Sequence, residues 1–381
     1  MTLSRKPTIV LATGGTAGHV FPADALADEL SRRGCRLVLI TDRRGGAVGG
    51  RLSELETHKV RAGGIAGKGI FARLTSVVEI LIGIAQAYVL LGKICPDVVV
   101  GFGGYASVPT MVAATLRKVR TVIHEQNAVL GRANRLLASR VARIATSYEK
   151  VEKLPEDGPE IVVTGMPVRP SVAALCDVPY PARQAGGDIR LLVFGGSQGA
   201  SVFSRVVPDV VARIAPKLPG KLRVTQQCRR DDVTPVQAEY RRLGFEAEVA
   251  AFFDDLPSRI ADSHLVISRA GASTVAELTA IGRPSILVPY PHAIDDHQTS
   301  NAHAVDETGA GWLLPESAFT IDGLASRLES LLTMPRILET AAAAARNAAP
   351  PDAAVRLADV VLSLVNGNGG NGHTEARREA A

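Results

Sequence analysis

The sequence has little of what marks several common protein classes. Aromatic residues make up only 4% of its 381 residues, which argues against the stacking platforms that bind single-stranded nucleic acid. The net charge of +5 is small and dispersed, so it suits an anionic substrate or membrane surface and does not predict nucleic-acid binding. Cysteines are few and form no CxxC pair, so we expect reduced thiols rather than disulfides: Cys35, Cys95, Cys176 and Cys228.

Long apolar runs are also missing. The run Ile9–Ala12, behind Arg5 and Lys6, is shorter than the ~7–15 apolar residues of a signal peptide, so none is expected. The longest apolar stretch, 77–91, contains Glu79 and a glutamine and falls short of the ~20 residues that span a bilayer. It therefore predicts a buried or interfacial helix.

Short runs of Val, Ile and Leu, in contrast, alternate with helix-like stretches along the chain. Unbroken apolar runs are typical of strands buried on both faces of a parallel sheet. Their alternation with helices predicts doubly wound α/β domains. The predicted strands are Thr8–Ala12, Arg36–Thr41, Asp97–Gly101, Thr121–His124, Ile161–Thr164, Ile189–Phe194, Leu222–Gln226, His264–Ser268 and Ser285–Val288.

The length of the chain and an internal repeat both predict two domains. At ~100–200 residues per domain, the chain has room for two cores. The order strand, Gly-Gly, hydroxyl, glycine, helix occurs at 14–18 and again, half a chain later, at 195–199. A Pro/Gly-rich segment at 164–170 separates the halves, so we expect domains at 1–168 and 169–365. The Gly/Asn-rich and then charged tail, 366–381, predicts disorder.

Three glycine turns follow predicted strands and lead into helices, which favours phosphate binding at the helix N-termini. A P-loop nucleotidase would need GxxxxGK[ST], and no such lysine follows any of the turns. A dinucleotide-binding oxidoreductase stays open, because Asp42 stands 24 residues beyond Gly18, where a ribose-binding acid could sit. The first turn is not GxGxxG, however. Two equivalent halves whose glycine turns face each other fit a group-transfer enzyme, with its site in the cleft between them, better than they fit dinucleotide binding.

Eight motifs, in order from about residue 8 to 350, carry a family resemblance: GGTAGHVFP, GFGGYAS, HEQNAVLGRANRLLA, GMPVR, GGSQGA, FFDDLP, SRAGASTVAEL and DDHQTSNA. With them the chain resembles the MurG family, the UDP-N-acetylglucosamine:undecaprenyl-diphospho-muramoylpentapeptide N-acetylglucosaminyltransferases of peptidoglycan synthesis. The resemblance implies a GT-B fold, with two Rossmann-like doubly wound parallel-sheet domains facing a cleft. It also implies inverting transfer of GlcNAc from UDP-GlcNAc to the muramoyl 4-hydroxyl of lipid I, giving lipid II and UDP.

The resemblance places the UDP-GlcNAc site mainly in the second half. Arg169 and Ser197 match family positions suited to the diphosphate. Glu277 could accept two hydrogen bonds from ribose hydroxyls, or it could be a capping-box glutamate. Phe253 matches a position at the uracil edge, with a core role as the alternative for it and Phe252. The other implied donor residues are Ala272, Ser273, Thr274 and Gln298 and, across the cleft, Thr16, Ala17, Gly18 and Asn127.

The first half is expected to hold the acceptor and the catalytic base. His19 is a natural base for the acceptor hydroxyl, although it could instead cap the helix or bind phosphate. Glu125 is the competing base, while His124 and Gln126 are expected to be structural. The glycine turns would cradle the lipid diphosphate with Gly14, Gly15, Gly103, Gly104 and Tyr105.

Two features bear on the chemistry of the site. Ala17 replaces a usual family glycine; a positive φ there would cost alanine about 1 kcal/mol, so we expect helical geometry. No DxD pair is present, and the histidines at 292, 297 and 303 match no zinc spacing. We therefore expect no metal and no cofactor, with Arg169 and helix dipoles holding the leaving group.

Two other functions remain open: a UDP-GlcNAc 2-epimerase of the same fold, and a non-catalytic UDP-sugar binding module. The glycine turn at 101–105 and the apolar helix at 70–91 favour the transferase over the epimerase. The presence of all four of the following residues argues against the binding module: His19, Asn127, Glu277 and Gln298.

The acceptor's polyprenyl tail stays in the bilayer, so a peripheral enzyme at the cytoplasmic face of the bacterial inner membrane is expected. An apolar helical stripe, flanked by Lys68 and Arg73, is predicted to dock on anionic lipid. Packing on the sheet is the alternative from Val77 onward. The stripe and its neighbour Phe71 comprise Ile70, Phe71, Leu74, Val77, Val78 and Leu81.

Overall fold

The computed structural model describes residues 5–42, 50–63, 70–181, 186–196, 199–350 and 352–366. Ser197, Lys68 and the tail from 367 lie outside these residues, as do the side chains of Ala17 and of residues 70–74. The strands are β1 Thr8–Ala12, β2 Arg36–Thr41, β3 Glu56–Lys59, β4 Val98–Gly101, β5 Arg120–Glu125, β6 Arg143–Thr146, β7 Glu160–Val163, β8 Ile189–Phe194, β9 Leu222–Gln227, β10 Ala247–Ala250, β11 Leu265–Ser268, β12 Ser285–Leu287 and β13 Gly311–Leu313.

Helices connect these strands. They are α1 Ala17–Arg32, α2 Ile70–Ile94, α3 Gly104–Leu116, α4 Arg132–Leu137, α5 Pro170–Ala173, α6 Ser201–Ile214, α7 Val233–Arg242, α8 Leu256–Asp262, α9 Ala272–Ile281, α10 His297–Glu307, α11 Ile321–Thr333, α12 Pro335–Ala348 and α13 Ala353–Asn366.

The strands form two sheets with the same winding. The first has the order β3-β2-β1-β4-β5-β6-β7 and the second β10-β9-β8-β11-β12-β13. Every pairing of neighbouring strands is parallel. β1 and β8 each stand third in the order of their sheet. The motif repeated at 14–18 and 195–199 therefore follows the equivalent strand in each of two Rossmann-like units. The predicted doubly wound α/β fold with two parallel sheets is confirmed.

Each sheet is covered on both faces, which explains the unbroken apolar runs. In β1, Ile9 and Leu11 pack with α1 and α13, whereas Val10 and Ala12 pack with α2, α3 and α4 on the opposite face. In the second sheet, helices α6, α7 and α11 cover one face and α8, α9 and α10 the other. A strand between two helical layers needs apolar residues at every position.

Within the described residues, the chain crosses between the sheets twice. The first crossing follows β7 at 164–169, and the second follows α12 near Pro350. At the crossings the two segments touch, since a Cβ built on Gly165 would lie 2.7 Å from Pro350 Cγ. α13 then packs on α1, with Leu357 and Val361 fully buried in the first core. Residues 353–366 therefore belong by packing to the first sheet, whereas the sequence analysis placed 353–365 in the second domain and residue 366 in the tail.

Helix α2 presents an apolar surface. Among the described residues, it contains the one segment long and apolar enough, by length and composition alone, to cross a membrane: 75–94. One face packs inward through buried Ala87 and Leu91. On the other face Val78 is 55% exposed and Leu81 60%. From Val77 onward this face is therefore not packed on the sheet.

Candidate active site

The site lies where loops after the carboxyl ends of strands in both sheets meet. Asn301 of α10 is fully buried there. Its Oδ1 accepts a hydrogen bond from the Ala128 N–H (2.8 Å), and its Nδ2 donates to Asn127 Oδ1 (3.1 Å) and to Ala270 O (3.0 Å). Asn301 therefore ties the loop after β5 to the loop before α9, in the crevice where open α/β sheets bind ligands.

The glycine turns seat the His19 ring. Gly103 and Gly104 both have positive φ, +81° and +69°, and a Cβ on Gly104 would lie 3.1 Å from His19 Cδ2. Any side chain there would be strained and would crowd the ring. Gly14 is needed for packing instead, because a Cβ on it would lie 2.7 Å from Thr41 Oγ1. The glycines of these turns therefore position protein groups as well as leaving room for a ligand.

His19 lines a pocket between the two domains. The pocket has a volume of about 160 Å³. Burial lowers the pKa of His19, against the opposing effects of the Glu125 charge and of hydrogen bonds with Gln126 and the Phe102 backbone. A lowered pKa favours the neutral imidazole, the form that accepts a proton. From the second domain the lining includes Ile294, Asp295 and His297; predicted residues in it are His19, Gly103, Gly104, Tyr105, Glu125 and Asn127.

Glu125, the competing base, has a saturated carboxylate. Its Oε1 accepts from the backbone N–H (3.0 Å) and side-chain Nδ2 (3.2 Å) of Asn127. Its Oε2 accepts from the Gly131 N–H (2.9 Å) and from Asn134 Nδ2 (2.8 Å). A carboxylate with four donors, at 1% exposure, is arranged to hold a loop. This geometry favours His19 as the proton acceptor.

Two predicted donor-site residues, Arg169 and Glu277, pair with each other. The Arg169 guanidinium donates Nε to Oε1 (2.9 Å) and Nη2 to Oε2 (3.0 Å) of Glu277, and stacks on the Phe21 ring at 4.5 Å. Burial raises the pKa of the Glu277 carboxyl, although Arg169 acts to lower it. The capping-box alternative for Glu277 is wrong, because the N-cap of α9 is Gly271 and no side chain caps it.

Two helix N-termini approach each other across the site. α1 begins at Ala17, so alanine there takes the expected helical geometry, and the positive φ in this loop is at Gly15. A Cβ on Gly18 would lie 3.8 Å from Ser273 Oγ in the first turn of α9. That oxygen is buried without a hydrogen-bond partner among the described residues. Free N–H groups at Ala272, Ser273 and Thr274, with the two dipoles, suit an anion.

The remaining predicted donor residues lie around this point. Thr16 is exposed as the N-cap of α1. Gln298 Oε1 accepts from the Tyr290 N–H (2.9 Å), which leaves its amide N–H groups for a ligand. Phe253 is buried beneath the Arg259 guanidinium, 4.1 Å from the ring centroid. Phe252, for which a core role was the alternative, is 68% exposed.

An ion cluster that the sequence did not predict also joins the domains. Asp295, with φ +55°, accepts from Arg132 Nε (3.2 Å) and Arg135 Nη2 (2.7 Å) and lies 3.7 Å from Lys153 Nζ. Burial acts to raise the pKa of Asp295, but the Arg132 hydrogen bond and the surrounding cations outweigh it and lower that pKa. The cluster closes one side of the pocket.

The described residues contain no group of three or more His, Cys, Asp or Glu side chains placed to hold a metal ion. The expectation of a reaction without metal or cofactor stays a prediction.

Comparisons with known proteins agree with this arrangement. The glycosyltransferase family 28 N-terminal domain matches residues 9–146, and the family 28 C-terminal domain matches 190–357. A Rhodospirillum rubrum protein is 58% identical over 358 residues, 94% of this chain and 92% of its own. Its name is UDP-N-acetylglucosamine–N-acetylmuramyl-(pentapeptide) pyrophosphoryl-undecaprenol N-acetylglucosamine transferase.

Solved structures give the same assignment at the level of the fold. The crystal structure of Acinetobacter baumannii MurG has a TM-score of 0.76 at 28% identity and covers 94% of this chain and 99% of that one. A Listeria monocytogenes structure named as a UDP-N-acetylglucosamine 2-epimerase has a TM-score of 0.64 at 13% identity, covering 94% and 96%. The second likeness shows a shared fold alone. The chain belongs to glycosyltransferase family 28 and, within it, to the MurG family.

Proposed function

We propose that the protein transfers GlcNAc from UDP-GlcNAc to the 4-hydroxyl of the muramoyl sugar of lipid I, giving lipid II and UDP with inversion at the anomeric carbon. One observation carries the proposal: His19 stands in α1 beside the point where the N-termini of α1 and α9 converge. A base and an anion site are thus held together in one crevice. This is what displacement of a sugar from a diphosphate requires.

The described residues supply each step of the transfer. The diphosphate binds at the N-terminus of α9 beside Arg169, Glu277 accepts from the ribose hydroxyls, and the Gln298 amide donates to the sugar. His19 takes the proton of the acceptor hydroxyl as its oxygen bonds to the anomeric carbon. The bond from that carbon to the phosphate oxygen breaks, and the helix dipoles and Arg169 stabilise the charge on the departing UDP. In this scheme Glu125 orders the Asn127 loop.

Incubating the protein with sugar-labelled UDP-GlcNAc, with and without lipid I, tests this function. The transferase releases UDP and labels the lipid only when lipid I is present. Formation of the C2 epimer of the UDP-sugar without acceptor would instead support the epimerase. Bound but unconverted nucleotide in both reactions would support the binding module.

Replacing Glu277 by alanine is expected to weaken UDP-GlcNAc binding by about 1.5–3 kcal/mol, the range for hydrogen bonds to a charged group. The carboxylate lost is the one we assign to the ribose. Calorimetry on the folded variant measures the change. Glu248→Ala removes an exposed carboxylate that also pairs with an arginine, Arg259, and serves as control. Equal donor affinity in both variants would contradict the assignment.

We further propose that the exposed face of α2 rests on the membrane that holds the lipid acceptor, at the cytoplasmic face of the inner membrane. Tyr88 and Val89 continue the exposed face of Val78 and Leu81, seven and eight residues (about two helical turns) beyond Leu81. Leu116 of α3 is 62% exposed. Basic side chains adjoin it, with Lys93 exposed and Arg117 stacked on Tyr88 at 4.5 Å. An apolar face with basic neighbours suits an anionic lipid surface. The part predicted at Ile70, Phe71 and Leu74 lies outside the described side chains.

The double change Val78→Ser and Leu81→Ser is expected to reduce binding to phosphatidylglycerol vesicles about tenfold, since each removes apolar area from the lipid contact. Cosedimentation at low and high salt measures it, and wild-type binding is expected to weaken with salt. UDP-GlcNAc affinity should not change. A matched double change, Met334→Ser and Ile337→Ser, alters exposed apolar residues of the second domain. An equal loss of vesicle binding in the two double variants, or no vesicle binding by the wild type at low salt, would refute the docking face.

A further inference from the structure

A chain of hydrogen bonds runs behind His19 to the first crossing between the sheets. His19 Nδ1 lies 3.1 Å from Gln126 Oε1. Gln126 Nε2 lies 3.0 Å from His124 Nδ1 and 2.9 Å from His124 O. His124 Nε2 lies 3.1 Å from the carbonyl oxygen of Gly165. Gln126 and His124 are both buried, at 1% and 0% exposure.

The two backbone carbonyls in this chain fix its direction. A carbonyl oxygen only accepts, so His124 Nε2 must carry the proton that it donates to Gly165 O. Its Nδ1 then accepts from Gln126. The carbonyl of His124 requires the amide nitrogen of Gln126 on the same side, so Gln126 Oε1 faces His19. An oxygen in that place accepts, and His19 Nδ1 must therefore donate.

The reverse arrangement is excluded by the same contacts. Turning the Gln126 amide would set its oxygen 2.9 Å from His124 O, and two acceptors repel. Burial lowers the pKa of His124 to about 4, against the hydrogen bond to Gly165, so this ring is neutral near pH 7. Besides burial and Gln126, the groups that act on the pKa of His19 are Glu125 and the Phe102 backbone on its own domain, which raise it, and His297 across the cleft, which lowers it.

We propose that Gln126, oriented by His124, is a positioning residue that holds His19 in the Nδ1–H tautomer, so that Nε2 carries the lone pair that takes the acceptor proton. A neutral histidine acts as a base only through its unprotonated nitrogen. The His19 edge that carries Nε2 lies against Gly104, in the wall of the pocket. The proposal rests on the proposed function for the role of His19, while the tautomer itself can be observed without turnover.

The first test is the ¹⁵N spectrum of histidine-labelled protein at neutral pH. The protein has eight histidines, and loss of one signal in His19→Asn assigns His19. We expect Nδ1–H for His19 in the wild type and a shift towards Nε2–H in Gln126→Leu. An Nε2–H tautomer in the wild type, or an unchanged tautomer in Gln126→Leu, overturns the proposal whether or not the protein proves to be the transferase.

The second test is the pH profile of kcat. Gln126→Leu is expected to lower kcat by about 10- to 100-fold, as when the group that orients a catalytic side chain is removed, with little change in KM for UDP-GlcNAc. Gln126→Glu keeps an acceptor facing His19 and adds a negative charge, so the acidic limb should move to higher pH. Gln226→Leu, at a buried glutamine bonded to Tyr240 in the second domain, is the control. The proposal is overturned if the acidic limb of the kcat profile does not move in Gln126→Glu. It is also overturned if Gln126→Leu and the control have equal kcat.

Discussion

Replacing His19 by alanine is expected to lower kcat by about 10²–10⁴, the usual contribution of a general base, while UDP-GlcNAc affinity changes little. The base acts on the acceptor hydroxyl, and we place the donor diphosphate at the N-terminus of α9 and Arg169. Initial rates with lipid I and calorimetry with UDP-GlcNAc separate the two effects. A loss of donor affinity as large as the loss of kcat would instead make His19 a phosphate ligand.

The pH profile adds an independent check. Burial lowers the pKa of His19, and the protonated ring cannot accept a proton, so kcat should fall with acidification through a pKa below the usual 6.5. Glu125→Gln is the informative comparison, because it removes the rival base. A folded Glu125→Gln enzyme with a far larger loss of kcat than His19→Ala would reverse the assignment.

Replacing Arg283 by methionine is expected to destabilise the second domain by about 3–5 kcal/mol. The guanidinium is fully buried and forms no ion pair with a carboxylate of the described residues. It donates instead to carbonyls at the ends of α8 and α9 and in the segment after α5, so methionine would leave several buried acceptors unpaired. The acceptors are Ala261 O, Ile281 O, Gly282 O, Val178 O and Pro179 O.

Helix dipoles explain how this charge is tolerated. Cations are stabilised at helix C-termini, and two such ends meet at Arg283. Burial lowers the pKa of Arg283 to about 10, which still leaves it protonated at neutral pH. Urea unfolding measures the loss, with Arg242→Met, an exposed arginine, as control. The loss of stability in Arg283→Lys should lie between those of the other two variants, because lysine keeps the charge but lacks the several N–H donors of the guanidinium. Equal stability of Arg283→Met and the control would refute this role.

The central strands could be predicted from the sequence because burial on both faces leaves a plain signal. β1, β2 and β8 have the predicted bounds, and the other six predicted strands differ by one or two residues. Four strands were missed: β3, β6, β10 and β13. Three of these are sheet edges, and β3, Glu-Thr-His-Lys, contains no buried residue. An edge strand does not need a continuous apolar run, so its sequence resembles a loop.

The glycine turns and His19 could likewise be identified, because they lie within short motifs. The contacts that join the domains could not. Asn127 bonds to Asn301, and Asp295 to Arg132 and Arg135, across more than a hundred residues of chain. Neither pair has a local pattern, because each depends on how the two sheets face each other. The packing of α13 on α1 is unpredictable for the same reason.

The position of α13 in the chain delays completion of the first domain's core during synthesis. The first sheet is complete when β7 has left the ribosome, but in the described structure the face of α1 that buries Leu357 and Val361 is covered by α13, which emerges about 190 residues later. At about 5–20 residues per second this interval lasts about 10–40 s. The nascent first domain therefore spends that time with an open apolar surface, and a message truncated before codon 353 yields a product in which that surface is never covered.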